Sequence, residues 1–93
     1  MTQLEGKIEI RSPRDLQRVI KELKQAVKEG TFRQQRPRGW PFAAKMPVED
    51  LSLEGPWPDH IELYFTDNKT GRRFKLEVET YHGAGGSWQP IGD

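Results

Sequence analysis

Cysteine is absent from the 93 residues. Disulfides, thiolate zinc sites and thiol nucleophiles are therefore excluded. Long apolar runs are absent as well. No stretch approaches the ~20 apolar residues needed to span a bilayer, and 1–7 has no apolar run of a signal peptide. The expected location is cytoplasmic, with no membrane partner. A large net charge is missing too: the formal value is +1, so the high-charge signature of disorder does not apply.

Aliphatic and Phe side chains are scarce. Leu, Ile, Val and Phe number 20 of 93, just above the roughly 20% below which burial rarely offsets conformational entropy. Three Trp and four Phe add large apolar surfaces. The expectation is a single small domain over 1–93 with a thin core. A thin core also makes a homodimer an expectation, because pairing buries surface that a monomer leaves exposed.

The charge is unevenly distributed along the chain. Residues 1–46 carry 11 Lys/Arg against 5 Asp/Glu, and residues 47–93 carry 4 against 9. Such halves either face each other in the fold or give a basic surface that attracts an anionic partner.

Leu4, Ile8 and Ile10 lie on one face of a strand spanning about 4–11, opposite Lys7, Glu9 and Arg11. A helix follows. Ser12 caps it, Pro13 takes its first position, and Asp15 places negative charge in its first turn. Leu16, Val19, Ile20, Leu23, Ala26 and Val27 form one apolar stripe, and Gly30 ends the helix with Lys28 in its last turn. Its solvent side, with Arg14, Arg18, Lys21, Lys24, Gln25 and Lys28, is strongly basic although Glu22 and Glu29 dilute it. It is either a solvated face or a docking surface for an acidic protein or a phosphate backbone.

Proline and glycine break up 31–60, a long Pro/Trp-containing connection in which Leu51–Leu53 forms one brief strand. A hairpin comes next. Burying both apolar sets together pairs Phe65 with Phe74, Leu63 with Leu76 and Ile61 with Val78, leaving the loop Asn68–Gly71. That register also sets Glu62 opposite Glu77, a repulsive pair that calls for a cation from elsewhere, on the basic half. The Gly-rich 82–93 is either a flexible tail or a loop that folds Trp88 and Ile91 back onto the domain. The fold class is α+β: one amphipathic helix on an antiparallel sheet of three to four strands, in the order β-α-(β)-β-β.

No nucleophile, metal or cofactor motif is present, so no cofactor and no catalytic residue are assigned. His82, Gly83, Gly85, Gly86 and Ser87 form a candidate anion or ligand loop through consecutive backbone N–H groups, but they match neither the phosphate loop nor the dinucleotide fingerprint. A His/Glu/His metal site from His60, Glu62, Glu79 and His82 matches no ligand spacing. Arg33, Arg36, Arg38, Trp40, Phe42 and Trp57 are the candidate contacts, because Arg and Trp anchor interfaces.

These features point to a non-catalytic intracellular interaction protein, an adaptor, inhibitor or immunity-like binder of another protein. The alternative is a single-stranded nucleic-acid binder that stacks bases on Trp40 and Phe42. A third reading is a small ligand-binding protein or enzyme around His60, His82 and the Gly-rich loop. If the helical stripe is the core face, Leu23→Ala lowers stability by ~2–5 kcal/mol in urea denaturation.

Overall fold

In a computed structural model, residues 3–35, 46–81 and 83–92 are described. The expected contacts Arg36, Arg38, Trp40 and Phe42, and the loop residue His82, lie outside them.

A single 3-10 turn at Gln3–Glu5 leads into β1 (Ile8–Ile10), shorter than the alternating pattern suggests. α1 (Pro13–Glu29) begins where its sequence signals place it. The Ser12 Oγ accepts a hydrogen bond from the Asp15 amide at 3.2 Å, and Pro13 loses no helical bond at the first position. Gly30 ends the helix in the left-handed region, at φ 82°, and its N–H donates back to the carbonyls of Ala26 and Val27.

The remaining elements are β2 (Phe32–Gln34), β3 (His60–Asp67), β4 (Arg73–Glu79) and β5 (Gly85–Ile91). They join β1 in one antiparallel sheet of five strands, ordered β1-β5-β4-β3-β2. α1 thus carries the chain from one sheet edge to the other. The α+β class holds, but the sheet has more strands than expected and a different order. Three features account for this. Phe32–Gln34, expected to lie within the irregular connection, is the edge strand β2. The segment expected to be a brief strand, Leu51–Leu53, follows a 3-10 turn at Val48–Asp50 and pairs with nothing in the sheet. The Gly-rich segment, by contrast, is a full strand between β1 and β4.

The hairpin has the register that its apolar pattern demands, from His60↔Glu79 to Thr66↔Arg73. Opposed residues share a face. Ile61, Leu63, Phe65, Phe74, Leu76, Val78 and Trp88 therefore line the face covered by Leu16, Val19, Ile20 and Leu23 of α1. Trp88 is fully buried at the centre. Its ring stacks on Phe74 at 5.0 Å and meets Phe32 edge-on at 5.9 Å, and its Nε1 donates to the Leu4 carbonyl at 2.9 Å.

The connection 31–60 is anchored at its return. Gln34 donates through Nε2 to the Met46 carbonyl and accepts through Oε1 from the Val48 amide, both at 2.8 Å. Val48 and Leu51 then enter the core. Among the described residues no helix is long and apolar enough to cross a membrane.

Gly86 is required by close approach of backbone to backbone. A Cβ there would sit 2.0 Å from the Glu77 carbonyl oxygen and 2.8 Å from the Val78 Cα, whereas nothing lies within 4 Å of one at Gly85. Gly86→Ala is expected to lower stability by ~1–3 kcal/mol or more, the cost of overpacking against atoms that cannot swing away. Gly85→Ala is expected to stay within ~0.5 kcal/mol. Paired urea denaturation curves check the contrast, and equal losses would contradict it.

Candidate functional site

The sheet face away from α1 gathers the titratable side chains of the hairpin. On it, Glu62 and Tyr64 of β3 are buried, at 5% and 9% exposure, although a half-buried strand would leave that face wet. Their burial is tolerated because they satisfy each other: the Tyr64 hydroxyl donates to Glu62 Oε2 at 2.7 Å. The neighbouring Glu77 carboxylate lies between Lys75 and His60. Lys75 Nζ is 3.0 Å from one oxygen and His60 Nε2 is 3.5 Å from the other. The Glu62/Glu77 conflict is thus relieved by turning the two carboxylates to different donors. The cation comes from β4 itself, not from the basic half of the chain.

Among the described residues no group of three His, Asp or Glu is placed to hold a metal ion. Glu62 turns to Tyr64, and His60 turns to Glu77.

The candidate anion loop divides in two. Gly83 turns the chain at φ 106° so that Ala84 enters the core, and Gly85, Gly86 and Ser87 are then strand residues. Gly86 and Ser87 pair with both neighbours, opposite Ile10 and Val78 and opposite Glu9 and Glu77 respectively. Ser87 therefore shares its face with two carboxylates, which disfavours an anion there. Gly-richness was a sign of close strand packing.

Of the candidate contacts, Arg33 stands exposed on β2 and its guanidinium donates to Asn68 Oδ1, while Asn68 Nδ2 donates to the Gly30 carbonyl at 2.8 Å. Arg33 thus braces the hairpin turn against the end of α1. Trp57 is partly buried against the core, and its Nε1 donates to the Ser52 carbonyl at 2.7 Å. Both residues have structural partners, and the described structure does not bring them together in a patch.

A groove of about 660 Å³ lies where α1 ends beside the hairpin turn, lined by Glu22, Ala26, Glu29, Phe32, Asp67 and Lys69. Asp67 is engaged there: its Oδ1 accepts from the Lys69 amide at 2.8 Å, an interaction that shapes the turn.

The outer side of α1 is different. Arg14, Arg18, Lys21 and Lys28 are all exposed, on the side opposite the buried stripe. Lys24, at the margin, reaches the Glu49 carbonyl at 3.4 Å. This basic face is visible in the sequence as a run of Arg and Lys along the helix. The signal that identifies it is its spacing along the helix.

Comparison with protein-family models, with curated proteins and with solved structures finds no match to this chain.

The Tyr64–Glu62 contact makes a specific demand. Tyr64→Phe removes the donor to a buried carboxylate oxygen and is expected to cost ~1–3 kcal/mol, far above a typical surface change. Thermal and urea unfolding of the variant measure it. A loss indistinguishable from zero would mean that the contact contributes nothing to stability.

Proposed function

We propose that this chain is a non-catalytic interaction protein whose partner is another protein, acting inside the cell. One contrast carries the reading. The residues that resemble catalytic chemistry, His60, Glu62, Tyr64, Lys75 and Glu77, hold one another in place on the sheet. The cations on the crest of α1 hold nothing within the described structure. Charge that stabilises no internal contact is available for recognition, where it sets specificity and encounter rate. A cysteine-free composition fits a reducing compartment.

The nucleic-acid alternative needs exposed aromatic rings on which bases stack. Trp88 is buried, Trp57 is partly covered with its indole N–H engaged, and Tyr81 is the one large hydrophobic residue exposed among the described residues. Among the described residues the rings therefore support a protein partner, while Trp40 and Phe42, on which the alternative rests, lie outside them.

Tryptophan fluorescence during titration with a mixed-sequence single-stranded oligonucleotide, at low and high salt, tests the choice. The proposal expects no saturable change at either salt. Saturable quenching at low salt that vanishes at high salt would replace it with the nucleic-acid reading.

A further inference from the structure

The geometry points to the crest of α1 as the docking surface, and to an acidic protein surface as its occupant; this inference rests on the protein-binding reading above. Arg14, Arg18, Lys21 and Lys28 follow one another at steps of four, three and seven residues. At 3.6 residues per turn and ~1.5 Å rise per residue, they fall in one line ~21 Å long. All four are exposed, and the buried Leu16, Val19, Ile20, Leu23 and Ala26 face the other way. None of their side chains makes an ion pair or hydrogen bond with another described residue. A capped helix thus presents them with no ion pair to a carboxylate among the described residues.

A second pattern narrows the partner. Cation and carboxylate recur as adjacent residues at seven-residue spacing: Arg14-Asp15, Lys21-Glu22 and Lys28-Glu29. Seven residues is close to two helical turns, so Asp15, Glu22 and Glu29 form an acidic column beside the basic line, ~100° around the helix.

That column disfavours nucleic acid. A helix lying in a groove meets phosphates on both flanks, and the column repels one of those walls. The whole chain is also close to neutral, at +1, with a pI of ≈ 8.1, where domains built for phosphate backbones exceed about 9.

A protein partner with a ridge of carboxylates satisfies the basic line. Carboxylates on alternate residues of a strand, ~6.6 Å apart, or on successive turns of a helix, ~5.4 Å apart, suit the ~6 Å step from Arg14 to Arg18. Single exposed ion pairs contribute little, so binding must come from several acting together and must weaken with salt.

The test uses the purified full chain and two labelled probes, a poly-glutamate peptide and a DNA duplex of equal charge. Fluorescence anisotropy is read at low and moderate ionic strength. Two variants of equal charge change are compared, Arg14→Gln/Arg18→Gln/Lys21→Gln on the crest and Lys7→Gln/Lys69→Gln/Arg72→Gln away from it. Circular dichroism and melting confirm that each is folded.

Wild type is expected to bind poly-glutamate with a salt-sensitive affinity that exceeds its affinity for the duplex. The crest variant is expected to lose at least about tenfold, and the other variant less than about twofold. Equal losses in both variants, or no binding to poly-glutamate at low ionic strength, would overturn the assignment of this surface while leaving a protein partner elsewhere. Tighter binding of the duplex would overturn both the surface's occupant and the protein-binding reading.

Discussion

The packing of Trp88 is the contact on which the other elements depend. Its ring lies on Phe74 of β4 and meets Phe32 of β2 and Phe65 of β3, at 5.0, 5.9 and 5.6 Å between centroids. Its N–H reaches back to Leu4, just before β1. One side chain near the C-terminus therefore joins the first turn of the chain to the centre of the sheet. It also locks the register of β5. A slip by one residue would place Trp88 on the polar face and Ser87 or Gln89 in the core. With a thin core, a residue that buries ~150–250 Å² decides whether the sheet closes.

Closing the sheet in this way has consequences on both of its faces. β5 can lie between β1 and β4 only if its backbone passes close to Glu77 and Val78, which is why Gly86 has no side chain. On the far face, β3 is buried on both sides along most of its length, so its polar residues must satisfy one another. The Tyr64–Glu62 contact meets that demand, and beside it Lys75 and His60 of neighbouring strands lie against Glu77. His60 and Glu62, which the sequence offers as metal ligands, are among the side chains by which this polar sheet face is made compatible with burial.

How much of this was legible in the sequence follows from how local each signal is. α1 announced itself through Ser12, Pro13, Asp15, Gly30 and a stripe that repeats every three or four residues, and the structure has all of them in place. The hairpin register followed from opposed apolar residues and a turn ending in Gly71. β2 and β5 were missed because their signals are not local. Phe32–Gln34 is too short to show alternation, and Gly85–Ile91 contains three residues, Gly85, Gly86 and Pro90, that strands ordinarily avoid. Their pairing is set by neighbours distant in sequence, which no window around them reveals. The proposed binding surface was half legible. The basic side of α1 was apparent, but only the structure showed that Arg14, Arg18, Lys21 and Lys28 make no ion pair or side-chain hydrogen bond among the described residues, whereas Arg33 and Trp57 do.

Function follows from the same division of the molecule. The core face of α1 holds the fold and the outer sheet face holds itself; in the proposed reading the crest of α1 is the surface offered to a partner. NMR perturbation mapping of the labelled full chain during titration with poly-glutamate tests this division most directly. The account predicts shifts concentrated at Arg14, Arg18, Lys21, Gln25 and Lys28, with the β3–β4 amides unmoved. Shifts centred on His60, Lys75 and Glu77, with α1 silent, would contradict it.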